Sequence, residues 1–225
     1  HIMGFAELMQ TELANDDVGI RHSGFLDIVR QSSEHLCRLV DNLIRFEQSS
    51  FTDSLSLEPI DLNGKIDQVV QSFSGAVAAK TQSLAYADNG QNISVLADHT
   101  SLRQILTNLI SNASKYTPEN GKITLVASVD TDHDLCRIEI RDDGPGMPRD
   151  VLMALGKPFV RGTTSANPET EGFGLGLHIT KRLCEAMNGS LAFTPILAGG
   201  TCANIRLPLV TSMQALQTLD ATTVS

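Results

Sequence analysis

Two asparagines and a lysine recur along one side of a predicted helix near the middle of the chain. Asn108, Asn112 and Lys115 lie within the segment LRQILTNLISNASKYT at i, i+4 and i+7, so they share one stripe of a helix. Asparagine is a mediocre helix former because its side chain competes for backbone hydrogen bonds. Amide oxygens suit Mg²⁺ and an ammonium group suits phosphate. The stripe is therefore either a site for Mg²⁺ and phosphate or an ordinary solvated face.

A carboxylate stands where a predicted strand meets a glycine turn. Asp142 ends the strand-like segment IEIRD, and Gly144 and Gly146 follow it. Glycine lets the backbone approach a ligand closely, and an ionised carboxylate only accepts hydrogen bonds. Asp142 is therefore suited to an exocyclic amine such as that of adenine. The alternative is an ordinary turn closed by the aspartate side chain.

Three alternating glycines, Gly172, Gly174 and Gly176, lead directly into another predicted helix. Backbone N–H groups at a helix start attract anions, although the spacing here matches neither G-x-G-x-x-G nor a Walker A sequence. Before these glycines runs the long polar segment KPFVRGTTSANPETEG, which is typical of a mobile cover over a site. In it Phe159 could anchor the cover and Arg161 could reach a phosphate, unless the loop is merely disordered.

The elements that must position these residues follow an α/β pattern between residues 51 and 208. Asp61 and Asp98 are predicted N-caps of two helices, which run to residue 80 and through Lys115, and another helix ends near Met187. We therefore expect an α+β fold, with helices on one face of a largely antiparallel sheet. The predicted strands are SLSLEPID, SLAYA, ISVLA, KITLVASV, LCRIEIRD, SLAFT and ANIRLPL. The predicted buried face of the second helix is Leu102, Ile105, Leu106, Leu109, Ile110 and Ala113.

Residues 1–50 have a different, wholly helical pattern. Two helices joined by the polar loop at Asn15–Gly19 predict an antiparallel hairpin whose apolar faces are too wide for one partner. We expect it to dimerise into a four-helix bundle; the alternative is a helical lid on the following domain. The heptad seam of its second helix is Phe25, Val29, Ser32, Leu36, Leu39, Leu43 and Phe46. The predicted domains are thus 1–50, 51–210 and a tail or linker at 211–225.

Composition limits the possible partners. The 225 residues are 41% hydrophobic and carry a net charge of −9, which argues against general nucleic-acid or anionic-membrane binding. The four cysteines form no C-x-x-C pair, and no apolar run approaches the roughly 20 residues of a membrane-spanning helix. We therefore expect a cytoplasmic protein, associated with a membrane only through segments outside this sequence.

The order of the motifs resembles the catalytic domain of sensor histidine kinases. NLISNASKYT is similar to their N box, DDGPGM to the first glycine box, KPFVRG to the F box and GFGLGL to the second glycine box. GGTCANIRLPL is similar to their closing strand pair, and residues 1–50 resemble their dimerisation and phosphotransfer hairpin. The resemblance implies a Bergerat-type α/β sandwich, shared with gyrase, heat-shock chaperone and mismatch-repair ATPases, with ATP and Mg²⁺ as cofactors.

The resemblance also implies a role for each motif residue. Asn112 corresponds to the Mg²⁺-binding asparagine, supported by Asn108, and both belong to the catalytic machinery. Asp142 would read the adenine amine. The remaining implied ATP contacts are Lys115 at phosphate or ribose, Tyr116 at adenine, Gly144 and Gly146 in the adenine wall, and Phe159, Arg161, Gly172, Gly174, Leu175 and Gly176 in the ATP lid or at its end.

The implied activity is autophosphorylation of a hairpin histidine, followed by transfer to an aspartate of a response regulator within a homodimeric kinase. None of the six histidines has the required position and neighbours. His1 precedes IMGF, which matches a segment two to three helical turns after the acceptor, so we expect the chain to begin just after its phosphorylation motif. The alternatives are a degenerate, non-catalytic nucleotide-binding module and an ATPase of the gyrase or chaperone type.

Overall fold

The computed structural model describes residues 55–147, 152, 176–197 and 199–210. The chain separates into two units, residues 1–49 and 50–225, and every described residue belongs to the second. The predicted hairpin at 1–50 and the tail at 211–225 lie outside the described residues. Among the described residues, no helix combines the length and apolar character needed to cross a lipid bilayer.

The described residues form seven strands and four helices, mixed along the chain as the sequence pattern predicts for an α+β domain. The strands are β1 (Glu58–Asp61), β2 (Ser83–Ala87), β3 (Ser94–Ala97), β4 (Lys122–Asp130), β5 (Leu135–Asp142), β6 (Ser190–Pro195) and β7 (Thr201–Pro208). The helices are α1 (Leu62–Ser72), α2 (Ser74–Ala79), α3 (His99–Tyr116) and α4 (Gly176–Ala186).

The main sheet has five strands in the order β2-β4-β5-β7-β6. Only β2 and β4 pair in parallel, and the other three pairs are antiparallel, so the expectation of a largely antiparallel sheet is confirmed. The first and third strands form a separate two-stranded antiparallel sheet. In the main sheet, Asp142 at the end of β5 pairs with Thr201 at the start of β7, which brings together two segments 59 residues apart.

The core lies between one face of this sheet and the helices. On β4 the alternate residues Ile123, Leu125 and Ala127 are fully buried, as a period of two requires for a sheet covered on one face. Helix α3 packs on β4 and β5 and also contacts α4. Every residue of its predicted apolar face is buried, namely Leu102, Ile105, Leu106, Leu109, Ile110 and Ala113.

The predicted helix over residues 62–80 is instead two helices, α1 and α2, separated at Phe73. The Ser72 hydroxyl donates to the carbonyl of Val69 at 2.6 Å. That carbonyl would otherwise accept the N–H of Phe73, which donates to Val70 instead. The break thus follows from a serine side chain that competes for the backbone ladder.

The two predicted N-caps differ. The Asp98 carboxylate accepts the backbone N–H of Ser101 at 2.8 Å and caps α3 as predicted. Asp61 occupies the N-cap position of α1, but its side chain makes no capping hydrogen bond. The observed strand β1 is also shorter than the predicted segment SLSLEPID, since it begins only at Glu58.

Gly189 and Gly75 test the close packing of the segment after α4 against β7. A Cβ on Gly189, after α4, would lie 2.2 Å from the carbonyl oxygen of Arg206, whereas a Cβ on Gly75 in α2 would meet nothing within 4 Å. Gly189→Ala should therefore lower the free energy of unfolding by about 1–3 kcal/mol. Gly75→Ala should leave it unchanged or raise it by at most about 1 kcal/mol. Urea unfolding followed by circular dichroism measures both, and equal midpoints would contradict this packing.

Candidate functional site

The Asp142 carboxylate is the centre of the candidate site. Its Oδ1 atom accepts two backbone N–H groups, from Gly144 at 2.9 Å and from Thr201 at 3.2 Å. Its Oδ2 atom makes no hydrogen bond to the part of the chain that the structure describes. One oxygen therefore fixes the carboxylate to the sheet, and the other is left to accept a hydrogen bond from a ligand.

The backbone approaches this carboxylate so closely that two positions exclude a side chain. A Cβ on Gly144 would lie 2.7 Å from Asp142 Oδ1 and 3.1 Å from the carbonyl oxygen of Tyr116. A Cβ on Gly200, which has a φ of 99°, would lie 1.9 Å from the carbonyl oxygen of Asp142. Gly146 also has a positive φ, 83°. Glycines at these turns are what allows the two N–H groups to reach Asp142.

Opposing influences act on the pKa of the Asp142 carboxyl group. Burial is the largest influence and raises the pKa of this carboxyl group, and the neighbouring Asp143 raises it further. The N–H groups of Gly144 and Thr201 oppose these effects because they stabilise the charged form. The net pKa lies above the usual aspartate value. A half-buried carboxylate of this kind gains most from a ligand that donates a hydrogen bond to it.

The predicted polar stripe of α3 is present, and one end of it is joined to α4. Asn108, Asn112 and Lys115 are all partly buried. The Asn108 amide donates to the hydroxyl of the buried Thr180 at 3.3 Å, and that hydroxyl donates to the carbonyl of Gly176 at 2.8 Å. Asn108 is thereby tied to the first turn of α4.

The other end of the stripe lies beside the Asp142 turn. The Lys115 ammonium is 5.3 Å from the centroid of the Tyr116 ring, and Tyr116 is 48% exposed. The Tyr116 carbonyl packs against Gly144, the residue whose N–H holds Asp142. The end of α3 and the turn after β5 are therefore in contact.

Amide oxygens suit this site as ligands for a divalent cation. Over the described ranges, no group of three or more histidine, cysteine, aspartate or glutamate side chains could hold a metal ion. A cation here would need neutral protein ligands supplemented by phosphate oxygens and water, which is the arrangement that Mg²⁺ prefers with nucleotides. The amides of Asn108 and Asn112 fit that requirement.

The remaining predicted site residues are those that the sequence analysis assigned to an ATP lid or to its end. Gly176 is the first residue of α4. The others lie outside the described residues, namely Phe159, Arg161, Gly172, Gly174 and Leu175. Their roles stay predictions.

Thr201 is a site residue that the sequence reasoning did not single out. It was assigned only to the closing strands, within GGTCANIRLPL. In the fold its N–H holds Asp142, and the residue is 8% exposed. The register between β5 and β7 places Thr201 opposite Asp142, and a linear sequence motif does not predict that register.

Comparison with known families identifies the domain built around this site. The family described as histidine kinase-, DNA gyrase B-, and HSP90-like ATPase matches residues 97–211, which include α3, the Asp142 turn, α4 and β7. The chain belongs to this ATPase family. The resemblance to the ATP-binding catalytic domain of sensor histidine kinases is thereby confirmed.

Several curated relatives are named as sensor proteins or sensor kinases. The chain is 29% identical to the non-motile and phage-resistance protein of Caulobacter vibrioides, over 96% of this chain and 26% of that protein. It is 28% identical to sensor histidine kinase WalK of Bacillus subtilis, over 86% of this chain and 31% of that kinase. It is 31% identical to sensor protein TorS of Escherichia coli, over 92% of this chain and 22% of that protein. The chain thus spans about a quarter of the length of these relatives.

Solved structures share the fold of this domain. Full-length ShkA in complex with AMPPNP is similar with a TM-score of 0.76 and 32% identity, over 94% of this chain and 43% of that one. The catalytic domain of histidine kinase ThkA has the same fold, with a TM-score of 0.60 and 23% identity, over 68% of this chain and 96% of that one. The family and the AMPPNP complex of ShkA together support ATP binding by this domain.

Replacement of Asp142 by asparagine tests its role. The substituted carboxamide would keep an oxygen for the two N–H groups but would place an NH₂ group where Oδ2 stood. That NH₂ group would then face the hydrogen-bond donor of the ligand and could not accept from it. Asp142→Asn should therefore weaken ATP binding by about tenfold or more, measured by titration calorimetry. The control is Asp143→Asn, at the exposed neighbour whose carboxylate accepts the N–H of Lys122. Equal losses in the two variants would contradict the assignment.

The raised pKa of Asp142 makes a second, separable prediction about stability. A carboxyl group whose pKa is higher in the folded state than in the unfolded state binds protons more readily when folded. Its ionisation therefore costs stability as the pH rises through that folded-state pKa. At pH 7, Asp142→Asn should not lower the melting temperature of the nucleotide-free protein. A clear fall in melting temperature would show that the charge itself stabilises the fold.

Proposed function

We propose that this chain is the catalytic portion of a sensor histidine kinase of a two-component system. The parent protein would transfer the γ-phosphoryl group of Mg-ATP to a histidine on a dimeric helical hairpin, and then to an aspartate of a response regulator. The observation that carries the proposal is the Asp142 carboxylate, held by two N–H groups with one oxygen left for a donor, beside the asparagine stripe of α3.

Each part of the site has a role in this proposal. Asp142 accepts a hydrogen bond from the exocyclic amine of adenine, and Gly144 and Gly146 shape the wall around it. Tyr116 packs on the base, and Lys115 meets ribose or phosphate. The proposed lid contacts are Phe159, Arg161, Gly172, Gly174, Leu175 and Gly176.

The triphosphate end of the site would lie along the asparagine stripe. Asn112, supported by Asn108, would be the residue that holds Mg²⁺. A Mg²⁺ ion held there would supply positive charge to offset the negative charge of the transferred phosphoryl group. The hydrogen bond from Asn108 to Thr180 keeps this part of the stripe next to the start of α4, where backbone N–H groups favour a phosphate.

The composition of α3 favours a kinase over a hydrolase. From His99 to Tyr116 the helix contains no aspartate or glutamate. A hydrolase of this fold needs a general base to prepare water for attack, and asparagine cannot serve as one. The amides can orient and bind a nucleotide, which suits transfer of the phosphoryl group to a protein side chain.

The proposed partners follow from the kinase assignment. We infer a homodimer formed through the hairpin at residues 1–50 and a response-regulator receiver domain as the phosphoryl acceptor. We also infer that the six histidines of this chain include no phosphoacceptor, because none combines the helix position and the neighbours that the role requires.

The absence of an acceptor can be tested by incubation of the chain with γ-labelled Mg-ATP. We expect no acid-labile, base-stable label on the protein, although titration calorimetry under the same conditions should detect ATP binding. Such label on this chain would contradict the proposal that it holds no acceptor. ATP binding without label is the outcome that the proposal predicts.

The proposed metal role of Asn112 predicts a change in Mg²⁺ dependence. Asn112→Ala should reduce the ratio between ATP dissociation constants measured without and with Mg²⁺ by about fivefold or more, because a ligand of the ion is lost. The exposed neighbour Ser111 lies on the same helix and offers the control variant Ser111→Ala. An unchanged ratio in Asn112→Ala would show that this amide does not contribute to metal binding.

A further inference from the structure

A buried glutamine outside the recognised motifs closes the end of the helix that carries the polar stripe. Gln82 is 7% exposed, and its side chain lies against the last turn of α3. Its amide nitrogen donates to the carbonyl oxygens of Ser114 at 2.9 Å and Thr117 at 2.7 Å. Its amide oxygen accepts the Ser114 hydroxyl at 2.8 Å. Both ends of the carboxamide are therefore engaged by the same turn.

Hydrogen bonds hold the backbone on both sides of Gln82. Helix α2 ends with Thr81 in the left-handed region, at a φ of 53°. The N–H of Gln82 then donates to Val77 at 3.0 Å, as in a Schellman motif. The next N–H, that of Ser83, donates to Gly121 at 3.0 Å, where β2 begins to pair with β4. Gln82 is thus fixed on both sides before its side chain reaches α3.

The carbonyl groups at the end of α3 need hydrogen-bond donors from outside the helix. The last carbonyl groups of a helix have no donor within the helix, and an end without partners frays. Here Ala113 receives the N–H of Thr117, while Ser114 and Thr117 depend on Gln82, with Lys80 as a second donor to Ser114 at 3.0 Å. The carboxamide therefore acts as a C-cap supplied from a distant loop.

The turn that Gln82 caps is part of the candidate site. It contains Lys115 and Tyr116, and the Tyr116 carbonyl packs against Gly144, whose N–H holds Asp142. A shift of this turn would displace the Tyr116 ring and loosen the backbone beside Asp142. Gln82 is thus linked to the carboxylate by hydrogen bonds to Ser114 and Thr117 and by the contact between the Tyr116 carbonyl and Gly144.

We propose that Gln82 is a positioning residue for adenine-nucleotide binding: it holds the last turn of α3 in the geometry that Tyr116, Lys115 and the Asp142 turn need. This inference rests on the proposed nucleotide site, and it deepens that proposal by making the site depend on a residue that contacts no ligand. Gln82 would act on affinity for the nucleotide, beyond any effect on the stability of the domain.

The test compares Gln82→Met, which keeps the side-chain length but loses both polar ends, with a destabilised control. Leu207→Ala is the control, because Leu207 is fully buried on β7 and pairs with Cys136, at the other end of β5 from Asp142. Dissociation constants for ADP are measured by calorimetry at a temperature where circular dichroism shows every variant fully folded. We expect ADP binding to weaken by about fivefold or more in Gln82→Met and to stay within about twofold of wild type in Leu207→Ala.

A second readout reports on the turn itself. Hydrogen exchange at the N–H of Thr117 should accelerate in Gln82→Met more than in Leu207→Ala, because the helix end loses its partner. Should Gln82→Met not fold, Ser114→Ala removes one hydrogen bond of the same set and should show a smaller shift in both measurements. Full ADP affinity in Gln82→Met, or equal losses in the methionine variant and the control, would overturn the positioning role.

The wild-type titration separates this inference from the proposed function. Wild-type protein that binds ADP, together with a Gln82 variant that binds it equally well, refutes only the role of Gln82. Wild-type protein that binds no ADP refutes the nucleotide site and, with it, the role of Gln82.

Discussion

The site depends on one carboxylate that is held at the end of a strand by two backbone N–H groups. Asp142 can accept both because β5 and β7 pair in a register that sets it opposite Thr201, and because the turn after it returns Gly144 to within hydrogen-bond distance. Side chains at Gly144 or Gly200 would occupy the space that this arrangement needs. The sheet register and the glycine positions together therefore determine how the Asp142 carboxylate is held.

Helix α3 connects that constraint to the rest of the domain. Its apolar face packs on the sheet, and its polar stripe extends from Asn108, which is tied to α4 through Thr180, to the last turn beside Gly144. The two ends of the stripe are held by different means, a hydroxyl-mediated contact at one end and the carboxamide of Gln82 at the other. A stripe held at both ends can present amides and a lysine to a ligand in a defined geometry.

Local sequence patterns predicted features that depend on neighbouring residues. The apolar face of α3, its Asp98 cap and the strand at KITLVASV follow from residue patterns and capping chemistry, and the structure confirms them. The single helix over residues 62–80 was wrong, because the Ser72 hydroxyl competes for a backbone carbonyl. Local patterns did not predict the roles of Thr201 and Gln82, because their hydrogen-bond partners lie 59 and 32–35 residues away in sequence. Only the folded chain brings these residues together. The hairpin prediction and most of the lid prediction concern residues outside the described ranges, so they stay predictions.

A crystal structure of this chain with Mg²⁺ and a non-hydrolysable ATP analogue tests the central claim most directly. We expect the exocyclic amine of adenine within hydrogen-bond distance of Asp142 Oδ2, and the metal ion beside the amide oxygen of Asn112. The two N–H bonds to Asp142 Oδ1 should be unchanged. A nucleotide bound with its adenine elsewhere, or with Asp142 facing no donor, would contradict the account.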